Sequence, residues 1–365
     1  MTDIFTNRFS YNNLYSYDRF MEYKLYDSKV GYYSKSNDTL WESDYYTSPM
    51  IHSSFAYMLA RYIYSSWILM RKPKNFYLIE LGGGGLYLIK EIINSLSVIS
   101  NDFLKQCNIL IIDKNFKNIL NIDHELNLVI SDTFCLNNIN GFIISNELFD
   151  AFPFKRLTYK NNKYHEILFK INDGINEELS EVDYNPFDSF NDPNYMIENK
   201  IYTYSHLYKT MIKNIWEGLS SGMILSFDYG YTTKQLRDNN KINTDARIIK
   251  NKNLSYDLYP YEKADISAFI NFDLLNYIHN EVGFNNLFLG KQSDFLTQLG
   301  IKKYAEKFLD SDVELTKKAK SLRIMQDLVD DEIFGNYLVL SASKNIENLT
   351  QKKLVDKIDT LDITI

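Results

Sequence analysis

Cysteine and histidine are scarce in this 365-residue sequence. Two cysteines, Cys107 and Cys135, cannot form a disulfide framework, and so low a number is typical of a reducing compartment. The five histidines stand far apart along the chain, without the close spacing of a zinc site. The sequence therefore predicts no metal centre.

Long apolar runs and excess positive charge are missing as well. No run approaches the ~20 residues that cross a bilayer, and the first residues resemble neither a signal peptide nor a transit peptide. The formal net charge is -7, with no cluster of lysine and arginine, which argues against general nucleic-acid binding. We therefore expect a cytoplasmic protein that binds neither membranes nor nucleic acid. Its 45% hydrophobic and 24% charged residues are typical of a globular fold.

Glycine is also infrequent, yet four glycines stand together at Gly82–Gly85. The apolar stretch 76–81 before them predicts a strand buried on both faces, and apolar residues at helical spacing follow from Leu86. A strand, a glycine turn and a helix allow the backbone to approach a nucleotide-like ligand closely. The alternative is a buried strand that ends in a flexible turn, but four glycines would then lose backbone entropy for no gain.

The residues around the glycine run narrow the choice of ligand. Gly82 and Gly84 fit the dinucleotide fingerprint, but its third glycine position is occupied by Leu86, and no Lys-Ser/Thr pair completes a phosphate-binding loop. An acid at the end of the strand, Glu80, fits the arrangement of S-adenosylmethionine (SAM) methyltransferases. Because SAM has no phosphates, its turn needs close approach and no anion-binding nest.

Further candidate strands, each ending in polar residues, follow at Asn108–Ile112, Leu128–Ile130 and Gly141–Ser145. Strands that alternate with helices predict an α/β fold with a doubly wound, mostly parallel sheet, whose ligands lie at the carboxyl ends of the strands. Asp113 stands where a carboxylate can accept both ribose hydroxyls, although it could simply cap a helix. Asp132 could reach an adenine amino group or be a solvated turn residue.

The stretch 145–153, SNELFDAFP, follows the third of these strands and places three polar side chains beside aromatic residues. Asn146, Glu147 and Asp150 could hold a cationic acceptor or take a proton from it. The alternative is an ordinary helix start, in which Asn146 caps and the two acids face the positive end of the helix dipole.

Seven motifs in order resemble the MidA-like family of SAM-dependent methyltransferases, which includes the mitochondrial arginine methyltransferase that assists respiratory complex I assembly. They are FMEYKLYDSKVGYYS (20–34), DYYTSP (44–49), IELGGGG (79–85), SNELFDAFP (145–153), SFDYGY (226–231), ADISAFINF (264–272) and QSDFLTQLGI (292–301). The resemblance implies a class I methyltransferase fold, with a Rossmann-like, mostly parallel sheet of seven strands and an inserted acceptor-binding region.

The resemblance also implies roles for individual residues. Glu80, Gly82, Gly84 and Asp113 would hold SAM, Thr47 and Ser48 would lie near its amino-acid end, and Asn146, Glu147 and Asp150 would face the acceptor. With the patterns above, it predicts how the chain is divided. The parts are an N-terminal region of helices and loops at 1–73 that contributes to the cofactor cleft, a methyltransferase core at 74–154 and 203–345 with a lid or helical insertion at about 232–330, a hairpin-and-loop insertion at 155–202, and a C-terminal tail at 346–365.

Departures from the family pattern bear mainly on the acceptor. The family usually has proline where Gly83 stands and glycine where Leu86 stands, and Phe269 replaces a histidine. We expect methyl transfer to nitrogen or oxygen of a small molecule or peptide, with a specialised metabolite favoured. A protein arginine methyltransferase is the alternative, and a non-catalytic assembly factor is the alternative of another class. A homodimer is a further candidate assembly.

Overall fold

The computed structural model of the protein describes residues 8–34, 52–115, 126–172, 174–185, 187, 190, 197–250, 253–256, 258–259 and 264–365. Thr47 and Ser48, expected near the cofactor, lie outside these described residues.

The strands, in chain order, are β1 (Leu14–Ser16), β2 (Phe76–Leu81), β3 (Cys107–Asp113), β4 (Asn127–Ile130), β5 (Ile139–Asn146), β6 (Lys155–Lys160), β7 (Lys163–Ile171), β8 (Ile175–Val182), β9 (Ile201–Tyr204), β10 (Leu219–Asp228), β11 (Gly230–Tyr231), β12 (Arg247–Lys250), β13 (Asn253–Ser255), β14 (Asp265–Ser267), β15 (Ile270–Asn271), β16 (Asn285–Lys291) and β17 (Leu338–Lys344). The helices are α1 (Tyr17–Met21), which continues into a π-helix (Glu22–Tyr26), α2 (Ser53–Leu69), α3 (Tyr87–Leu104), α4 (Leu207–Gly218), α5 (Thr233–Asp238), α6 (Phe272–Val282), α7 (Gln292–Gln298), α8 (Ile301–Leu309), α9 (Leu315–Asp327) and α10 (Gln351–Asp359).

The chain divides into two compact units. The glycine-turn unit takes its described residues from 46–147, 211–228 and 279–365, and the hairpin unit takes its described residues from 1–45, 148–210 and 229–278.

A seven-stranded sheet forms the centre of the glycine-turn unit, in the order β16-β17-β10-β5-β2-β3-β4. The strands from β10 to β4 run parallel to their neighbours. β17 is antiparallel to both β10 and β16, so the sheet is mixed. The predicted α/β class is thereby confirmed. The apolar strands β2 and β5 are buried over nearly their whole length, as expected for the middle of a parallel sheet covered by helices.

Helix α2 is buried on nearly all sides and belongs to the same hydrophobic core as α3 and the sheet. Its one arginine, Arg61, is only 2% exposed. The guanidinium donates to the backbone carbonyls of Leu299, Ile358 and Leu361 at 3.0, 2.8 and 3.0 Å. These carbonyls lie at the carboxyl ends of α7 and α10, where helices leave acceptors without partners. Arg61 therefore fastens the C-terminal helix to the core.

An antiparallel sheet forms the hairpin unit, in the order β1-β7-β6-β9 with β8 paired to β7. The hairpin predicted after residue 155 is confirmed as β6 and β7. Its turn residues, Asn161 and Asn162, both have positive φ, 52° and 61°. A two-residue turn of this kind matches the twist of the strands, and asparagine tolerates it well.

Two stretches are more regular than the sequence predicts. Residues 1–73 were expected to contain only helices and loops, but β1 pairs with β7, because three residues are too few to show a strand pattern until a partner is present. Residues 232–255 show no clear pattern, yet α5 begins with a capping box between Thr232 and Gln235, and β12 pairs with both β13 and β14.

Among the described residues, no helix has the length and apolar character needed to cross a membrane.

Candidate active site

The turn between β2 and α3 has a strained backbone that its glycines permit. Gly82 and Gly84 have positive φ, 72° and 48°, as predicted for a tight turn. A Cβ atom at Gly83 would lie 2.3 Å from Cγ2 of Ile111, whereas one at Gly84 would meet no atom of the described residues within 4 Å. Gly83 therefore allows the turn to pack against β3, while the space beside Gly84 stays open for a ligand.

Leu86 precedes α3 in a left-handed conformation, with φ of 62°, although its side chain is fully buried. A non-glycine residue in this conformation costs roughly 1–2 kcal/mol. The buried side chain offsets that cost, since truncating a buried leucine removes about 3–5 kcal/mol. Packing in the core beneath the turn thus stabilises a leucine in this conformation.

This balance predicts an inverted order of stability for two variants. Leu86→Gly should lower the free energy of unfolding by about 1–3 kcal/mol, because relief of backbone strain offsets part of the lost packing. Leu86→Ala keeps the strained Cβ and should be the less stable of the two, whereas glycine is ordinarily the worse replacement. Urea denaturation measures both; an alanine variant more stable than the glycine variant would contradict this account.

Glu80 is the penultimate residue of β2, and it is only 4% exposed. One side of its carboxyl group accepts a hydrogen bond from the backbone N–H of Ile89, in the first turn of α3. Its Oε2 atom is buried and has no hydrogen-bond partner among the described residues. Burial, with a smaller contribution from the charge of Asp113, raises the pKa of Glu80 to about 8.

Asp113 ends β3 and reaches across to the glycine turn. Its Oδ2 accepts from the backbone N–H of Gly84 at 3.1 Å, and its Oδ1 accepts from the N–H of Asn115 at 2.9 Å. The structure thus brings Glu80, Asp113 and the glycine turn together, as predicted. Asp132 follows β4, two strands away from β2, and its side chain is exposed.

Asp113→Ala is expected to weaken SAM binding by about 1–3 kcal/mol, since charged hydrogen bonds to the ribose hydroxyls and the support of the turn at Gly84 would both be lost. Isothermal titration calorimetry measures the change. Asp102→Ala, at an exposed carboxylate of α3, serves as the comparison. An affinity unchanged in Asp113→Ala would remove this residue from the cofactor site.

Asn146 and Glu147 lie at the carboxyl end of β5, next to the strand that leads into the glycine turn. In the sheet, Ser145 is level with Leu81, and Asn146 is level with Phe227. The Asn146 Nδ2 group donates to Oε1 of Glu147 at 3.3 Å. This contact fixes the orientation of the amide, because a carboxylate can only accept. The Asn146 Oδ1 atom is therefore left as a hydrogen-bond acceptor, and it is buried without a partner among the described residues.

The backbone at Glu147 is held in an unusual conformation. Its φ is 49°, and its N–H donates to the carbonyl of Phe227 at 2.9 Å. A non-glycine residue with positive φ costs energy, and such residues concentrate at functional sites. The half-buried Glu147 carboxylate is thus placed by β5 and β10 together.

Asp150 lies in the hairpin unit, 4% exposed. Burial, then the neighbouring Asp265, raises the pKa of its carboxyl group, and Arg247 and the Ser267 hydroxyl oppose that rise. Tyr33 donates to Asp265 Oδ1 at 2.8 Å. The motif at residues 264–272 pointed to this region, but the sequence did not show that Asp265 adjoins Asp150.

Arg247 belongs to the same cluster. Its guanidinium carbon lies 3.9 Å from the ring centre of Tyr229 and 4.9 Å from that of Phe269. Aromatic faces hold a guanidinium at such distances. Phe269, which the sequence comparison marked as a lost polar group, therefore forms part of the arginine's aromatic surroundings.

The residues of the glycine-turn unit fit SAM. Glu80 offers a buried carboxyl oxygen to a cationic group, Asp113 offers acceptors to ribose hydroxyls, and the space beside Gly84 is open. No group of three or more histidine, cysteine or acidic side chains suited to a metal ion occurs within the described part of the chain.

Comparison with known proteins agrees with this geometry. Residues 58–288, more than half of the chain, match a family described as S-adenosyl-L-methionine-dependent methyltransferases. A Burkholderia thailandensis protein crystallised with S-adenosyl-homocysteine aligns with a TM-score of 0.77 and 16% sequence identity, covering 93% of this chain and 90% of that one. A native crystal structure of a protein from the same organism gives 0.76 and 17%, covering 93% and 89%.

The structural likeness, at such low identity, shows a shared fold, and the sequence match shows the family. The chain belongs to this family of SAM-dependent methyltransferases, and SAM is its cofactor.

Proposed function

We propose that the protein transfers the methyl group of SAM to a nitrogen of a small molecule or peptide, with a specialised metabolite as the expected acceptor class. The observation that carries this proposal is the pair of hydrogen-bond acceptors, Asn146 Oδ1 and the Glu147 carboxylate, at the strand end beside the glycine turn. An oxygen acceptor is the other form of the sequence prediction, and it is disfavoured by the same pair.

The cofactor would be held by the glycine-turn unit. Gly82 and Gly84 allow its close approach, Asp113 would accept from the ribose hydroxyls, and Glu80 would face a cationic group. SAM, when bound, supplies a methyl group on a positively charged sulfur. The contributions of Thr47 and Ser48 to its amino-acid end, and of Asp132 to its adenine, stay predictions.

The two hydrogen-bond acceptors at the end of β5, Asn146 Oδ1 and the Glu147 carboxylate, determine which groups can receive the methyl group. An amine, amide or guanidinium presents N–H donors to both Asn146 and Glu147. A carboxylate or deprotonated phenol would instead meet the Glu147 carboxylate as a like charge. Methyl transfer is a direct displacement, so holding the nitrogen in line with the methyl group is the main contribution of the site. Glu147 would then take the proton that the nitrogen must lose.

For Asp150, a part in binding the methyl acceptor stays a prediction. Its burial beside Asp265 and Arg247 suits a group that fixes the position of the stretch 148–153, and the backbone carbonyl of Asp150 accepts from the N–H of Ala268 at 2.9 Å. A direct part in proton transfer was the sequence prediction for this residue. The position of its carboxyl group within a charged cluster favours a positioning role.

Protein arginine N-methylation of the MidA type is the second candidate. A guanidinium carries several N–H donors, so the pair formed by Asn146 and Glu147 suits it equally well. The size of the acceptor, rather than its reacting atom, separates the two candidates. A homodimer, a cytoplasmic location and the absence of nucleic-acid partners stay predictions.

The test uses SAM with a labelled methyl group, incubated with the protein and a cell extract divided into macromolecules and small metabolites. Label in the small-molecule fraction is the expected result, and mass spectrometry would then identify the acceptor. Label in protein would favour the arginine candidate, and acid hydrolysis would identify the residue. Calorimetry that shows SAM bound but no transfer to either fraction would favour the non-catalytic assembly factor.

A further inference from the structure

Glu80 combines features that the cofactor-binding role alone does not require. Its carboxyl group is 4% exposed, and one oxygen is fully engaged with the backbone of α3. The other oxygen, Oε2, is buried with no hydrogen-bond partner among the described residues. An ionised carboxylate in this position would be a buried charge without compensation, which is costly.

Asp113 makes an ionised Glu80 more costly still. It ends β3, the strand beside β2, where Glu80 is level with Ile111, two residues before Asp113. Asp113 accepts two backbone N–H groups, both of which stabilise its own negative charge. The charge of Asp113 therefore remains and repels a second charge on Glu80. The positive end of the α3 dipole acts in the opposite direction, through the N–H of Ile89.

Other charged and titratable side chains lie on the elements around the turn. They include His52 before α2, Lys90 and Glu91 on α3, Lys114 after β3, Asp132 after β4 and Glu147 after β5. Burial is the larger cause of the raised pKa of Glu80, and the charge of Asp113 adds to it. Glu80 therefore favours its protonated form at neutral pH, with a pKa raised to about 8.

We propose that Glu80 carries a proton in the free protein and releases it to solvent when a cationic group of SAM binds beside Oε2. The O–H bond of the carboxyl group breaks, its electron pair stays on the carboxylate, and the carboxylate then pairs with the positive charge. The cationic group is either the sulfonium or the α-ammonium of the cofactor. SAM affinity should therefore rise with pH up to about pH 8, because the proton on Glu80 that opposes binding is lost over that range. Above about pH 8 the affinity should level if the partner is the sulfonium and fall if it is the α-ammonium, which loses its own proton there.

This inference rests on the proposed function only in requiring that the protein binds SAM. Different experimental results would contradict the inference and the proposed function. A silent SAM titration would contradict the proposed function. SAM binding without any exchange of protons would leave that function intact and overturn the role of Glu80.

The experiment is calorimetric titration of SAM into the protein at pH 6.5–7, in several buffers that differ in their enthalpy of ionisation. The wild-type protein should release close to one proton per SAM bound, read from the slope of observed enthalpy against buffer enthalpy. Affinity should rise by about tenfold per pH unit over this range. The α-ammonium of SAM titrates near the usual α-amino value of about 8. This titration of SAM itself contributes equally to the wild-type protein and to a variant that cannot ionise at residue 80. Such a variant is therefore the reference.

Glu80→Gln is that reference, because glutamine resembles the protonated carboxyl group and can still accept from Ile89. It should bind SAM without release of a proton. Glu91→Gln is the matched control. Glu91 lies on α3 and accepts a hydrogen bond from Asn94, and its variant should release as many protons per SAM as the wild type. If Glu80→Gln folds poorly, the number of protons released by the wild-type protein, read from the same slope, still tests the proposal.

S-adenosyl-homocysteine, which lacks the sulfonium charge but keeps the α-ammonium, identifies the group. Proton release with both molecules assigns Glu80 to the α-ammonium, and release with SAM alone assigns it to the sulfonium. Binding of SAM by the wild-type protein with no proton released, or with equal release from Glu80→Gln, would overturn the proposal.

Discussion

Replacement of Glu147 by glutamine is expected to slow methyl transfer by about 10²- to 10⁴-fold while the affinity for SAM stays unchanged. Glutamine keeps the size of the side chain and an oxygen that can accept from Asn146, which now lies 3.3 Å from Glu147 Oε1. It cannot take a proton from the acceptor nitrogen. The fall should therefore appear in kcat, and calorimetry with SAM should show a normal Kd.

The pH dependence separates proton removal from a general loss of structure. An amine acceptor increasingly loses its proton to solvent as the pH rises, so the difference between Glu147→Gln and the wild type should shrink at high pH. Glu347→Gln, at an exposed surface pair, is the control and should keep normal activity. Equal loss of kcat and SAM affinity would move Glu147 into the cofactor site, and a constant deficit at all pH values would argue against a proton-accepting role.

Replacement of Arg156 by methionine is expected to destabilise the hairpin unit by about 3–5 kcal/mol, because it leaves two acids without their partner. Arg156 is 6% exposed. It donates to Asp245 through Nε and Nη2 at 2.8 and 2.6 Å, and to Glu177 through Nη1 at 2.5 Å. Glu177 is 37% exposed, so its share is screened and the loss should fall near the lower value.

The Arg156 cluster also involves rings from distant parts of the unit. Its guanidinium carbon lies 4.6 Å from the centre of the Tyr17 ring, and the hydroxyls of Tyr17 and Tyr259 both donate to Glu177. Hydrogen exchange is the suitable measurement, since it follows each unit separately. Amides of β6 to β8 should lose protection in Arg156→Met, while those of β2 and β5 should not.

A matched control exists on the same sheet. Lys163 and Glu181 form an ion pair with side chains 56% and 51% exposed, so Lys163→Met should cost less than about 1 kcal/mol. Arg156→Lys keeps the positive charge but loses the planar, bidentate guanidinium donors. Its loss of stability should lie between those of Arg156→Met and Lys163→Met. A loss in Arg156→Met no larger than that in Lys163→Met would show that the cluster contributes little to folding.

Much of the glycine-turn unit was predictable, because its signals are local. The apolar runs of β2, β3 and β5 and the helical spacing after the glycines lie within short windows, and each corresponds to an element of the structure. Alternation of strands and helices then predicts which strand ends carry the ligand site. Glu80, Asp113 and Asn146 could therefore be named as site residues, although their contacts could not.

The hairpin unit was harder to predict. Its strand β1 is recognisable only through its partner β7, which is more than 140 positions away in the sequence. Asp265 adjoins Asp150 although the two residues are 115 positions apart in the sequence. Arg247 lies against the rings of Tyr229 and Phe269, which are 18 and 22 positions away from it. Sequence patterns of short range contain no such information.

The sequence by itself determined the class of fold, the glycine turn and the acids at the strand ends, because periodicity, glycine and strand length act over a few neighbouring residues. Only the tertiary structure decided that Leu86 takes a left-handed conformation, that the Asn146 amide donates to Glu147, and that burial raises the pKa of Glu80. Each of these depends on burial and on partners from other strands. Conformational strain, amide orientation and pKa are set by surroundings that form only when the chain has folded.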